Sequence, residues 1–433
     1  MRRKARKGGG RQIDLEIDSL GGRGDGVGQH EGQPVFVPFA LPGERVRVRL
    51  NGQGQAGVRG ELLELLSEAP DRATPPCPHF GACGGCTVQH LAGPAYRRWT
   101  RDLVVQALAR RGFSDPPVAD PVFVGGSSRR RAALTARRRG DKVAVGFHPR
   151  ASHAIEDIRS CDVLVPEIVA LLPALRQHLR SVLGQGESAD ATVLASETGL
   201  DVLLASPTPP GLAAREALAA LAEEADLARL SWGALGGGEP EPVAARREPV
   251  LTFGQVAVIP PPGAFVQPTT GGEAALTAQV TAALAEVTGP VADLYAGLGT
   301  FAFALPKTAR VHAVEGSETA IAALWRAARR HDRVGRVTAE VRDLARDPLD
   351  PTDLEAFAAV ILDPPRAGAK AQAEALAESE VGTVVAVSCN PNTFARDARA
   401  LVDGGYTLES VLPVDQFPWT GHVELVATFR RLS

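Results

Sequence analysis

The chain has 433 residues, 44% hydrophobic and 22% charged, which is too long for one ordinary core and too apolar for a disordered chain; two or three packed domains are expected. The basic first eleven residues run into IDLEIDSL rather than an apolar stretch, and nothing later is long and apolar enough to span a bilayer, so no membrane association is expected and the cytoplasm is the expected compartment. The net charge of −3 hides a division, since residues 1–150 hold 25 Lys and Arg against 14 Asp and Glu while the rest hold 22 against 36, which points to a polyanion meeting the first third.

Residues 1–11 read as a basic arm. From 12 to 68 the segments IDLEI, PVFVPF, RVRVRL and VRGELLELL alternate in character and are separated by Gly-rich stretches, GGRGDGVG and NGQGQAG, read as turns; this predicts a small antiparallel, OB-like barrel. A Pro-rich hinge, SEAPDRATPPCPH, opens a central region, 69–262. Its first helix, AYRRWTRDLVVQALARRGF, has a basic face, and part of 91–125 is expected to pack on the following domain. Strand-like VAVGFH and DVLLAS then alternate with helical VPEIVALLPALRQHLRSVL and GLAAREALAALAEEADLARL, a mixed α+β pattern, and GALGGGEPEPVAARREP reads as a surface loop. From 263 to 433 the pattern is α/β: strands VADLY, RVHAVE, RVTAEV, AVILD and TVVAVS are mostly separated by helices, which predicts a parallel, doubly wound sheet with its ligands beyond the carboxyl ends of the strands.

Those strand ends carry the candidate chemistry. The first is followed by Tyr295-Ala296-Gly297-Leu298-Gly299-Thr300, and Glu315 closes the second, where an acid can accept hydrogen bonds from ribose hydroxyls. No third, pyrophosphate-binding glycine follows, which favours S-adenosylmethionine over a dinucleotide. Asp363-Pro364-Pro365-Arg366 leaves the strand AVIL as a loop stiffened by two prolines. Cys389 follows TVVAVS and precedes a predicted helix, whose amino terminus is expected to lower the thiol pKa. Glu424, in the apolar segment GHVELVATF, is expected to be desolvated, with a raised pKa suited to proton abstraction.

The five cysteines are spaced too unevenly for a disulfide scaffold. Cys77, Cys83 and Cys86 fall within ten residues and predict a metal site, [4Fe-4S] or zinc, with Cys161, His79 or His90 as the remaining ligand. The triplets Arg129-Arg130-Arg131 and Arg137-Arg138-Arg139 are candidate contacts for RNA phosphate, or else a solvated charged surface.

Taken together, FVPFALPGERVRVRL, CPHFGACGGCTVQH, VGFHPRASHAIEDIRSC, FVQPT, DLYAGLGTF, DPPRAG, SCNPNTFARD and GHVELVATF resemble the RNA (uracil-5-)-methyltransferase family over nearly the whole chain. The likeness is to the branch with an N-terminal TRAM barrel and an iron–sulfur cluster that acts on 23S ribosomal RNA. It implies a Rossmann-like class I methyltransferase domain, S-adenosylmethionine as methyl donor, and a [4Fe-4S] cluster on Cys77, Cys83, Cys86 and Cys161. It also implies Cys389 as a nucleophile toward uracil carbon 6 and Glu424 as the base for the carbon 5 proton. Gln267, Tyr295, Gly297, Gly299, Thr300, Glu315, Asp343 and Asp363 match the positions that line the cofactor and target pocket. The chain departs from the common pattern at Pro268 and Thr269, where relatives usually read Val-Asn, and at Ala296 and Thr300, where Cys and Asn are common. RNA is the expected partner, and the chain is expected to act as a monomer without an obligate protein partner. The T-loop uridine of tRNA is the alternative substrate, and a non-catalytic, metal-dependent RNA-binding protein is the alternative of another class.

Overall fold

Alternation of Val with Arg in Arg45–Gly54 sends Val46 and Val48 inward, fully buried, and leaves Arg47 and Arg49 outside, as a strand period of two requires. This strand belongs to a six-stranded sheet ordered Gln12–Glu16, Arg45–Gly54, Gly57–Ser67, Gln33–Pro38, Asp25–His30, Ser19–Leu20. The computed structural model describes residues 11–54, 57–235, 237–333 and 335–431, so the expected basic arm lies, but for Arg11, outside the described residues. The outward arginines are already paired on the sheet: Arg47 with Asp14 (2.9 Å) and Glu64 (2.7 Å), Arg49 with Glu61 (3.1 Å). Exposed to solvent, these pairs are screened and add little to stability.

The stretch GGRGDGVG is not simply a turn, because Asp25–His30 is a strand. Its glycines mark close approach rather than chain reversal. A Cβ on Gly26 would lie 2.7 Å from the Ala40 carbonyl oxygen, and one on Gly28 would collide with the Glu16 carbonyl.

The described residues up to Thr100, together with Trp419–Gly421, form one unit, and those from Arg101 onward, Trp419–Gly421 excepted, form another. Within the first unit the Thr87 and Val88 N–H groups donate to the Trp419 carbonyl (2.8 and 3.1 Å), and the Trp419 N–H donates to the Tyr96 hydroxyl oxygen (2.9 Å).

The second unit holds two large sheets. One is seven-stranded, ordered Glu156–Asp157, Lys142–Phe147, Arg131–Arg139, Ser188–Ser196, Gly199–Ser206, Arg229–Ala234, Glu241–Ala245, with helices Pro166–Val182 and Leu212–Glu224. Its last strand falls in the segment read as a surface loop. Glu241–Ala245 pairs antiparallel with Arg229–Ala234 across a register shift, and a five-residue, mostly exposed edge strand containing Pro242 has too weak an apolar pattern to stand out.

The other sheet is eight-stranded, ordered Val337–Val341, Val311–Glu315, Val291–Leu294, Ala359–Leu362, Thr383–Ser388, Glu424–Arg431, Tyr406–Asp415, Val122–Phe123. Its first five strands are parallel; Glu424–Arg431 runs antiparallel to both neighbours. Val291–Leu294, Ala359–Leu362 and Thr383–Ser388 are buried at every residue, which is why they read as mainly apolar runs, Asp293 being the one acid among them. Four helices around this sheet begin on side-chain caps that accept a backbone N–H: Thr269 before Thr270–Ala283, Ser317 before Glu318–Arg330, Asp350 before Pro351–Leu354 and Asn390 before Pro391–Asp403. Each cap contributes about 1 kcal/mol. Among the described residues no helix is long and apolar enough to cross a membrane.

Candidate active site

The carboxyl ends of the parallel strands bring most of the expected residues to one edge of the eight-stranded sheet. Beyond Leu294 the chain turns through Tyr295 (φ 63°), Gly297 (φ 55°) and Gly299 (φ 89°) into the short helix Thr300–Ala304. The Gly297 N–H donates to one oxygen of Glu315 (3.0 Å) and the Ser317 N–H to the other (2.9 Å), so Glu315 joins the first two strand ends. A side chain on Gly297 would meet nothing within 4 Å, so the backbone there faces open space that a ligand can approach.

Asp293, fully buried one turn below, accepts the Ala302 N–H on one oxygen (3.0 Å) and has no partner on the other. Burial, then the charges of Asp363 and Glu315, push its pKa up to about 8. Tyr295 is pushed up to about 12, first by burial and then by Asp397, Asp343 and Glu315. Asp343 itself is exposed, accepting the Ala345 N–H (3.1 Å) and pairing with Arg346 (3.4 Å).

Asp363 begins the Pro-Pro loop. Its N–H donates to the Leu294 carbonyl (3.2 Å), its carboxylate accepts the Gln267 amide N–H (3.3 Å), and burial raises its pKa to about 7 against that hydrogen bond. The loop is fastened to the next strand end: the Asn390 amide and Thr393 hydroxyl both donate to the Arg366 carbonyl (3.1 and 3.3 Å).

Thr383–Ser388 and Glu424–Arg431 pair antiparallel, with Ser388 opposite Leu425. Cys389 directly follows Ser388 and Glu424 directly precedes Leu425, so both lie at these strand ends, near enough for the charge of Glu424 to act on the thiol. Glu424 is 3% exposed and lies between two strands, not on an edge. Burial, then the charge of Asp363, raises its pKa well above the ordinary value, in the direction the apolar sequence implied.

The expected lowering of the Cys389 pKa is reversed. Burial and then the charges of Glu424 and Asp363 push the thiol up to about 11, and Arg366 and the backbone offset this only partly. Desolvation beside two acids outweighs the helix amino terminus, which the sequence alone made prominent.

The cysteine triplet lies in the first unit and Cys161 in the second. The Gly85 N–H donates to Cys83 Sγ (3.4 Å), as it would to a thiolate. Among the described residues no three His, Cys, Asp or Glu side chains are arranged to hold a metal ion. The thiol donors fit a soft metal by their chemistry.

Of the Arg triplets, Arg130 is not a surface charge. It is buried against Glu273 (2.6 Å) and donates to the Gln267 carbonyl (3.2 Å). Arg129 lies over the Phe417 ring and Arg131 over that of the exposed Phe265, while Arg138 donates to the Leu183 carbonyl (2.9 Å).

Three site residues were not singled out from sequence. Asp293 and Arg366 sit inside motifs that were, DLYAGLGT and DPPR. Gln416 had only the weak signal of a polar pair, Asp415-Gln416, closing an apolar strand; it is fully buried and donates to the Gln267 amide oxygen (2.8 Å).

A parallel sheet closed by one reversed strand, with a glycine turn and an acid at its first two strand ends, defines a class I S-adenosylmethionine-dependent methyltransferase. The comparisons with known proteins narrow this. The tRNA (Uracil-5-)-methyltransferase profile matches residues 258–431 and the TRAM domain profile residues 7–52. An uncharacterized RNA methyltransferase of Rhizobium meliloti strain 1021 is 42% identical, covering 96% of this chain and 99% of its own. The 23S rRNA (uracil(1939)-C(5))-methyltransferase RlmD of Chromohalobacter salexigens is 35% identical, covering 96% of this chain and 89% of its own. The Pyrococcus abyssi tRNA (uracil-54, C5)-methyltransferase, solved in complex with S-adenosyl-L-homocysteine, superposes with a TM-score of 0.73 over 96% of this chain and 100% of its own; at 23% identity it speaks for the fold alone. The chain belongs to the RNA (uracil-5-)-methyltransferase family.

Proposed function

We propose that this enzyme methylates carbon 5 of a specific uridine in 23S ribosomal RNA through a covalent adduct on Cys389. The observation that supports the reading is that Cys389 and Glu424 lie at neighbouring strand ends beside the Ser388–Leu425 pair, with Glu424 acting on the thiol and Asp363 close enough to raise both.

Uracil carbon 5 is too weak a nucleophile to react unaided. Cys389 adds to carbon 6 as the thiolate, its proton lost beforehand to solvent; the addition opens the 5,6 double bond and moves its electrons toward the carbon 4 oxygen, leaving carbon 5 nucleophilic. Glu315, the Gly297–Gly299 turn, Thr300, Asp343, Gln267 and Tyr295 would hold S-adenosylmethionine, whose sulfonium would supply a methyl group to carbon 5 and depart as the neutral thioether S-adenosylhomocysteine. Glu424 then removes the carbon 5 proton; the double bond re-forms and Cys389 leaves as thiolate. A carboxylate whose pKa is raised by burial is a stronger base than an ordinary one, which suits Glu424 to that step. Asp363, beside both groups, is placed to meet the pyrimidine edge.

The ribosomal substrate rests on the 35% identical relative and on the TRAM profile match. A base inside a folded RNA must be flipped out, at a cost of a few kcal/mol that contacts elsewhere on the RNA offset. Mapping 5-methyluridine in ribosomal and transfer RNA of a strain lacking this gene tests the assignment: one 23S position should lose its methyl group, and loss confined to tRNA would refute it. We also propose, on donor chemistry alone, that Cys77, Cys83, Cys86 and Cys161 bind a [4Fe-4S] cluster. Anaerobically purified protein should then contain about four iron atoms per chain, falling sharply in Cys83→Ser; iron-free protein would exclude it.

A further inference from the structure

A glycine in the first turn of a helix lowers helix stability by roughly 1 kcal/mol relative to alanine, so Gly272 in Thr270–Ala283 calls for a reason. The reason is Gln416: a Cβ on Gly272 would overlap its side-chain Cγ, Cδ and amide oxygen. The seat holds an unusually ordered amide. The Gly272 N–H donates to the Thr269 hydroxyl oxygen (3.0 Å), the Thr269 hydroxyl to the Gln416 Oε1 (3.2 Å), the Gln416 Nε2 to the Gln267 Oε1 (2.8 Å), and the Gln267 Nε2 to Asp363 (3.3 Å).

The direction of the series is set at both ends. A backbone N–H only donates and an ionised carboxylate only accepts, so while Asp363 is charged every hydroxyl and amide between them has one consistent orientation. Gln416 and Thr269 are fully buried and Gln267 is 3% exposed, so water does not substitute for a missing member. Inverting the Gln267 amide would set two carbonyl-type oxygens facing, one against Asp363, while leaving its N–H groups turned toward those of Gln416.

We infer that Gln416 is a positioning residue, which holds the Gln267 amide with its N–H turned to Asp363 and so fixes the Asp363 carboxylate at the edge of the catalytic pocket. Gln416 touches none of the groups proposed to react. Its effect passes through Gln267, whose backbone is separately fixed by Arg130 at 3.2 Å, leaving the amide rotamer as the free variable.

The test is Gln416→Met, which keeps the length of the side chain and removes both its donor and its acceptor. Asp363 is followed by carboxyl NMR on protein carrying 13C-labelled aspartate, the signal assigned with Asp363→Asn. The other groups around it, Asp293, Glu315, Arg366, Cys389 and Glu424, are unchanged in the variant. The Asp363 midpoint, about 7 in the parent, should move upward once the Gln267 N–H is no longer held against it. On the methyl transfer proposed above, kcat should fall by about tenfold with KM for RNA unchanged, the pattern of lost positioning rather than lost binding. The titration needs no substrate, so it is read independently of that proposal. An unmoved Asp363 midpoint in a folded Gln416→Met protein overturns the inference. Should that variant not fold, Gln416→Asn, too short to span from Thr269 to Gln267, is read by the same midpoint and the same two outcomes.

Discussion

Cys389 follows the strand Thr383–Ser388 and Glu424 opens the paired strand Glu424–Arg431, where Ser388 stands opposite Leu425. The thiol and the carboxyl therefore lie at neighbouring strand ends, near enough for the charge of Glu424 to act on Cys389. Both are disfavoured as anions there: the thiol is pushed up to about 11, with Glu424 among the causes, and Glu424 itself is raised. The thiol and the carboxyl, proposed above as nucleophile and base, thus do not readily carry charge together.

Replacing Glu424 with Gln should separate adduct formation from its resolution. Cys389 would still add to carbon 6 and carbon 5 would still be methylated, but with no base for the carbon 5 proton the adduct would persist. We expect kcat to drop on the order of 10²–10⁴-fold, with methylated RNA attached to the protein on a denaturing gel. Rapid turnover by the variant, with no attached RNA, would assign the proton to another group.

The thiol should be slow toward neutral alkylating agents at ordinary pH. Thiolate is the reactive form, and a pKa raised to about 11 leaves little of it at pH 8. Iodoacetamide labelling of the Cys389 peptide in substrate-free protein should keep climbing with pH well past the ordinary thiol range of about 8.5. Removing one neighbouring negative charge, in Glu424→Gln, should shift that profile to lower pH. A plateau reached below about pH 8.5 in the parent would contradict the electrostatics described here.

Asp293 makes a prediction about stability. Its carboxyl, fully buried and raised to about 8, is neutral in the fold at a pH where an unfolded aspartate is charged. For a raised acid, the stability is fully present below the unfolded pKa of about 3.9 and is lost as pH rises through the folded value. Asp293→Asn keeps an acceptor for the Ala302 N–H and cannot ionise, so urea midpoints should vary less between pH 5 and pH 8 than in the parent. An equally steep loss in the variant would place the titrating group elsewhere.

How much of this was legible in the sequence depended on the element. The central parallel strands were plain, because burial on both faces makes VADL, AVIL and TVVAVS mainly apolar runs whose ends mark the site. Asp25–His30 was hidden, since its glycines, needed for close backbone approach, look like turn residues. Cys389 could be located at a strand end, but the sign of its pKa shift depended on the approach of Glu424 and Asp363 from distant segments, which local sequence does not reveal. Arg130 carried the same ambiguity: a triplet of arginines reads as a phosphate-binding surface until Glu273 is found 2.6 Å away. Gln416 had no local signature, because its meaning lies in Gly272 and Gln267, more than a hundred residues earlier.

RNA binding and chemistry should respond differently to salt. If the cationic first third engages phosphate, RNA affinity falls steeply with ionic strength, by several powers of ten between about 50 and 200 mM salt for six to ten contacts, because counterions are released. The single-turnover rate at saturating RNA should change little, since its groups are enclosed. A rate as salt-sensitive as the affinity would place phosphate contacts in the chemical step.

The most direct measurement uses an RNA carrying 5-fluorouridine at the target position, mixed with S-adenosylmethionine and resolved on a denaturing gel. Fluorine leaves carbon 5 without a removable proton, so an adduct once formed and methylated stays on the protein, and its peptide can be identified by mass spectrometry. The account predicts a stable complex attached through Cys389 and none with Cys389→Ala, which should also lose at least on the order of 10⁴-fold in turnover on ordinary RNA. A covalent complex, or normal turnover, from the Cys389→Ala protein would contradict it.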